Sequence, residues 1–126
     1  MSRLNKRYSD SELADFIRAN IRYDPETGDL WWTKQVKGPG RPRQMHEPVG
    51  RIVTYKYGYQ KREVQLGQRK LICSRVCWFL HYGNWPPSCL DVHHINEDSL
   101  DNRVNNLGLL DKRTHGRLSA AARWAA

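Results

Sequence analysis

Three of the five histidines in this chain fall between positions 93 and 115, within the stretch "CLDVHHINEDSLDNRVNNLGLLDKRTHGR" that runs from Cys89 to Arg117. Around them the pattern reads as strand, loop, strand, helix. "LDVHHI" has strand character and "NEDSLDN" is a tight polar loop. "RVNNLGLL" predicts a second strand whose Val104 and Leu107 point to opposite faces unless a bulge intervenes. Asp111 can then cap a helix over "DKRTHGRLSAAARWAA", with Gly116 as an early weak point.

Two strands that lean on a helix bring the end of the first strand to the first turn of the helix, so His93 and His115 are expected to meet. Neutral imidazoles are good ligands for a divalent transition metal, and two of them leave positions open for phosphate oxygens and water. His94 adjoins His93 but points to the other side of the strand. An imidazole that stands near a metal without binding it can take a proton from water, since its ordinary pKa is close to neutral.

The residues before this stretch are expected to form a small mixed structure. "YSDSELADFIRANI" predicts an amphipathic helix with Ser9 and Glu12 as a capping box and Leu13, Phe16, Ile17 and Ile21 on one face. "RYDPETGDLWWTK" predicts strand, turn, strand, with Asp-Pro opening the turn and Gly28 closing it. "KGPGRPRQMHEPVG" reads as a basic loop. "RIVTYKYGYQKREVQLGQRKLICSRV" alternates like an antiparallel meander, with Val53, Tyr55 and Tyr57 on a buried face and Lys56, Lys61 and Arg62 on the other. "SRVCWFLHYG" predicts a helix that buries Val76, Cys77 and Leu80 and stops at Gly83.

Charge is unevenly spread. The chain of 126 residues has a formal net charge of +8, yet between Thr33 and Lys70 ten lysines and arginines face two glutamates, and the remainder is balanced. Such a segment suits the phosphates of a nucleic acid. Arg41, Arg43, Lys56, Lys61 and Arg62 are its candidate contacts. No apolar run is long enough to span a membrane and no apolar core follows the basic residues of "MSRLNKRYSD", so a cytoplasmic protein is expected. Cys73, Cys77 and Cys89 offer no second close pair for a structural zinc; buried or free thiols are expected of them. Trp31, Trp32 and Trp78 are assigned to the core, and His46 and His81 to ordinary surface or satisfied positions.

The His93-His94 pair, the "DNRVNNL" segment from Asp101 to Leu107 and His115 together resemble the HNH (ββα-metal) nuclease motif, in particular that of small phage and intron-encoded endonucleases. "YDPETGDLWW", "YGYQKREV" and "SRVCWFLHYGNWPP" are similar, more weakly, to segments that precede the motif in those proteins. The resemblance implies His93 and His115 as metal ligands, His94 as general base, and Asn106 as the residue that fixes the loop and orients the base imidazole. Arg103 and Arg117 become candidates for phosphate contacts. It also implies one divalent ion, Mg²⁺ or Mn²⁺ by the family pattern, with Ni²⁺ or Zn²⁺ admitted by two imidazoles, and products with a 5′-phosphate and a 3′-hydroxyl.

The expectation is therefore one α+β domain over residues 1–126. Residues 1–88 form a basic DNA-binding part with an N-terminal helix, a small antiparallel meander and a second helix. Residues 89–118 form a ββα-metal module, and 119–126 a helical tail. Its expected activity is metal-dependent cleavage of double-stranded DNA. A single site cuts one strand, so a monomer nicks, and double-strand cleavage needs a dimer or a second event. The alternatives are a DNA-binding protein that keeps the fold without turnover, and an enzyme acting on RNA.

Overall fold

The computed structural model describes residues 7–33 and 48–114. Arg41, Arg43 and His46 in the basic loop, and His115, Gly116, Arg117 and the alanine-rich segment with Trp124, lie outside the described residues.

Helix α1 (Asp10–Asn20) begins as its sequence dictates: the Ser9 hydroxyl accepts from the Glu12 amide and the Glu12 carboxylate accepts from the Ser9 amide. Leu13 and Ile17 are buried, while Phe16 packs at the core's edge against Tyr8 and Trp32. Ile21 still donates its amide to the Ile17 carbonyl but already has extended backbone, so it opens the next element.

That element is a hairpin of β1 (Ile21–Asp24) and β2 (Asp29–Trp32), antiparallel from Ile21↔Trp32 to Asp24↔Asp29. The Asp24 carboxylate accepts from the amides of Glu26 and Thr27, which folds the turn onto itself, and Gly28 closes it at φ +82°. Val49 donates to the Leu30 carbonyl at 3.0 Å, which seats the segment after the basic loop along β2.

The second sheet has the order β3 (Arg51–Thr54), β4 (Gln60–Leu66), β5 (Arg69–Ile72), all antiparallel. Its buried face differs from the expected one. β3 ends at Thr54, and Tyr55 and Tyr57 are exposed at 42% and 85%. The reason is local: Lys56–Tyr59 is a tight turn in which both Tyr57 (φ 62°) and Gly58 (φ 77°) are left-handed, so the alternation of β3 does not continue through it. Burial comes from Val64 and Leu66 of β4 instead. Lys61 and Arg62 do not share a face, since adjacent strand residues alternate; Arg62 donates to the Gly50 carbonyl at 3.3 Å.

Helix α2 (Cys73–Tyr82) ends at Gly83, which is left-handed and donates to the Phe79 carbonyl. It packs on β1, β4, β5 and the last hairpin, and supplies Cys73, Val76, Cys77 and Phe79 to the core. The two cysteines are free and buried, as expected, and Cys89 is free and exposed. Burial pushes the Cys73 thiol up to about 12, so it stays protonated. Trp85 stacks on Phe79 at 4.3 Å, and the Arg18 guanidinium lies over the Phe79 ring at 4.6 Å, which ties α1 to α2.

The last hairpin is β6 (Leu90–His94) paired with β7 (Leu107–Asp111), from Leu90↔Asp111 to His94↔Leu107. The expected strand over 103–110 begins later than its sequence suggests. Val104–Asn106 is a 3-10 turn, because the Val104 amide donates to the Pro25 carbonyl rather than to β6 and the Asn106 amide closes back on Arg103. After β7, the Asp111 carboxylate accepts from the Thr114 amide at 2.8 Å, capping the helical turn that residues 112–114 begin. The architecture is α+β, with mixed helices and small antiparallel sheets. Among the described residues no helix is long and apolar enough to cross a membrane.

Candidate active site

His94 is the last residue of β6, where the strand gives way to the polar loop. Its Nε2 lies 2.8 Å from the Oδ1 of Asn102. An amide oxygen can only accept, so Nε2 carries the hydrogen and the lone pair is on Nδ1. Burial pushes the His94 pKa below the ordinary imidazole value, against the opposing pull of the Asn102 hydrogen bond. The ring is thereby favoured in its neutral, basic form and fixed in one tautomer.

Asn102 is 4% exposed and is gripped by its backbone as well. Its carbonyl accepts from the Tyr23 hydroxyl at 2.5 Å, and the Val104 amide two residues on donates to Pro25 at 3.0 Å. Burial pushes the Tyr23 phenol up, which keeps it as an O–H donor. The partner of His94 thus rests on the β1–β2 turn.

Asn106 has a different task. Its Oδ1 accepts from the Asn96 amide, and its Nδ2 donates to Asn96 Oδ1 and to the Asp101 carbonyl, all at 2.9 Å. A single side chain, 6% exposed, therefore spans the loop between the strands at three points. Asn106 thus spans the loop, while the hydrogen bond of the His94 imidazole goes to Asn102. Asp101 braces the same loop, with Asn96 Nδ2 at 2.9 Å and a two-pronged pair to Arg103 at 2.8 and 2.6 Å. Arg103, expected to meet phosphate, has its guanidinium engaged by that carboxylate.

His94 lines a cleft of about 100 Å³ together with Tyr59, Lys61, Ser74, Arg75, Asp91 and Ser99. α2 enters it with no side-chain cap at Ile72, so the helix's first amide groups and its positive end add to the charges of Lys61 and Arg75. Ser99 donates its hydroxyl to the Gln60 carbonyl, which joins the loop to the start of β4, beside the β3–β4 turn. A cleft with these walls suits an anionic group beside a base.

His93 sits next to His94 and points to the other face of β6, across from Gly108. Its expected fellow ligand His115 lies outside the described residues, and among the described residues no three His, Cys, Asp or Glu side chains gather as a metal site. Two imidazoles are a chemically suitable donor pair for one divalent ion, and His93 is the half of that pair the structure describes. Lys56 is exposed at the β3–β4 turn, Lys61 lies at the cleft, and Arg62 is turned inward. Two residues of the site were not singled out by the sequence: Arg75, which has no motif around it, and Asn102, which reads as a turn former although it stands in "DNRVNNL" beside Asn106.

Residues 73–117, from the start of α2 onward, match the HNH endonuclease family. No curated protein is similar enough to the chain to match it. A solved structure described as "DNA binding and cleavage by the HNH homing endonuclease I-HmuI" is similar at 15% sequence identity and a TM-score of 0.48, over 82% of this chain and 53% of that one. The chain thus spans about half the length of that endonuclease.

Proposed function

We propose, from the match of residues 73–117 to the HNH endonuclease family, that the protein is a metal-dependent endonuclease that nicks double-stranded DNA. The observation that carries this reading is the His94–Asn102 pair: Nε2 is committed to an amide oxygen at 2.8 Å, so the lone pair of Nδ1 remains for a water in a cationic cleft.

In the proposed reaction the scissile phosphate enters the cleft, where Lys61, Arg75 and the uncapped start of α2 hold its non-bridging oxygens. His94 Nδ1 takes a proton from water as the water oxygen bonds to phosphorus. The bond to the 3′ oxygen breaks and that oxygen takes a proton from solvent water, leaving a 5′-phosphate and a 3′-hydroxyl. His93 and His115 would hold one divalent ion, which would supply positive charge to offset that developing on the phosphate and the leaving oxygen. Asn102 keeps the imidazole in its productive tautomer, and Asn106 keeps the loop that carries Asn102 in shape. Lys56, with Arg41, Arg43 and Arg117, extends the contact to flanking phosphates.

The test is conversion of supercoiled plasmid to open circles in Mg²⁺, Mn²⁺, Ni²⁺, Zn²⁺ or EDTA, with His94→Ala alongside. Metal-dependent nicking that is lost in the variant while DNA binding persists is the expected result. Direct linearisation points to paired active sites. Retardation of DNA with no cleavage in any metal favours a binding protein that has kept the fold, and preferential cleavage of an RNA competitor moves the substrate to RNA.

A further inference from the structure

The β3–β4 hairpin has a feature that phosphate binding does not require. At its tip Tyr57 is 85% exposed and held at φ 62°, a left-handed backbone that suits Asn or Gly far better than an aromatic residue. Tyr55 and Tyr59 flank it at 42% and 44% exposure, and Ile52 on the same hairpin is 47% exposed. Aromatic surface of this extent stands on a turn whose geometry disfavours its central residue, so local folding preference does not account for the tyrosine there.

The charges narrow the partner. The β3–β4 hairpin carries Arg51, Lys56, Lys61 and Arg62 against one carboxylate, Glu63, which the Tyr55 hydroxyl and Lys70 engage. Lys61 Nζ lies 5.7 Å from the Tyr55 ring centre and 5.5 Å from that of Tyr59, so a cation is fixed among the rings at the root of the turn. A partner that is polyanionic outside and offers flat apolar faces inside fits both features, and stacked base pairs between two phosphate backbones are such a partner. Tyr59 and Lys61 also line the His94 cleft, so the root of the turn adjoins that cleft.

We propose that Tyr57 is a wedge that inserts between base pairs of duplex DNA and unstacks them. The inference rests on the nuclease reading for its choice of partner and goes beyond it in assigning an aromatic residue to deformation of the duplex. A wedge of this kind unwinds DNA locally and does so wherever the protein binds, so it is measurable without knowledge of the target sequence.

The test uses the full chain on relaxed plasmid in EDTA, with a metal-independent topoisomerase removing the compensating strain. After deproteinisation the linking number of the plasmid reports unwinding by the bound protein. Retardation of the linearised plasmid reports binding separately. Wild type is expected to bind and to leave negatively supercoiled topoisomers. Tyr57→Phe is expected to do the same. Tyr57→Asn, which suits the turn and removes the ring, is expected to bind yet leave the plasmid relaxed. Wild type that binds without changing the linking number, or Tyr57→Asn that changes it as much as wild type, overturns the wedge and leaves the nuclease reading intact. Wild type that binds no duplex at all overturns both.

Discussion

Gly28 in the β1–β2 turn lies so close to Arg103 in the loop between β6 and β7 that a Cβ on it would stand 2.5 Å from the Arg103 amide nitrogen and 2.6 Å from the Asn102 carbonyl carbon. Those are backbone atoms, which cannot rotate away as the end of a side chain can. The turn and the loop are therefore fitted to each other at the residue that holds His94.

Gly28→Ala should accordingly cost both stability and alignment. The left-handed φ of +82° alone is worth about 1 to 3 kcal/mol against alanine, and the contact with Asn102 adds to it. The expected outcome is a drop in stability of about 2 kcal/mol or more, read by urea denaturation. Nicking should fall further than the unfolded fraction accounts for. Equal losses of folding and activity would show that the turn merely props up the domain.

Asn102→Ala should act on the imidazole itself. With the amide oxygen gone, the Nε2–H of His94 loses its acceptor in a half-buried site and the ring is released to the other tautomer. A loss of about 10²-fold in nicking rate is expected, toward the lower end of what a general base contributes. The direct readout is the nitrogen spectrum of the His94 ring: hydrogen on Nε2 in wild type, a mixture in the variant. A wild-type ring protonated on Nδ1 would contradict the assignment regardless of activity.

Much of the fold was legible because its signals are local. The capping box at Ser9 and Glu12, the Asp-Pro turn that closes at Gly28, and Gly83 as the stop of α2 each act within a few residues, and each stands where the sequence puts it. The meander's buried face was misread because "TYKYGYQ" carries no Asn-Gly or Asp-Gly to announce a turn, so the count of alternating residues ran on through Tyr57. The distinction between Asn102 and Asn106 was hidden for a different reason. Both are asparagines in one polar loop, and what turns Asn102 toward His94 includes a hydroxyl 79 residues earlier, on Tyr23. No spacing within the motif encodes that contact.

Acid should weaken the protein through Asp101. The Arg103 guanidinium holds its carboxyl down to about 2, below the ordinary 3.8. A carboxylate whose pKa is lower in the folded state contributes stability above the ordinary value, and loses it as pH falls toward the folded one, because the unfolded chain takes up the proton first. The melting temperature should thus decline between about pH 5 and pH 2, with the Glu63 carboxylate, depressed by the Tyr55 hydroxyl, adding in the same sense. Asp101→Asn should start from a lower melting temperature at neutral pH and decline less steeply. Parallel profiles for the two proteins would mean that the pair with Arg103 is not retained in solution.

Tyr57→Asn should make the protein more stable. The turn at Lys56–Tyr59 has left-handed backbone at both central positions, and Asn-Gly is the pair that such a turn favours most. Tyrosine at φ 62° costs about 1 kcal/mol there. Removing a ring that is 85% exposed takes away little buried surface in return. A gain of about 1 kcal/mol, or a few degrees in melting temperature, is expected. Alternatively, a loss of stability would show that the Tyr57 ring contributes to folding through its own contacts, and the argument that its place at the tip serves a partner would lose its footing. A gain in stability accompanied by slower nicking would identify the tip as a position where folding alone prefers a different residue from the one that DNA requires.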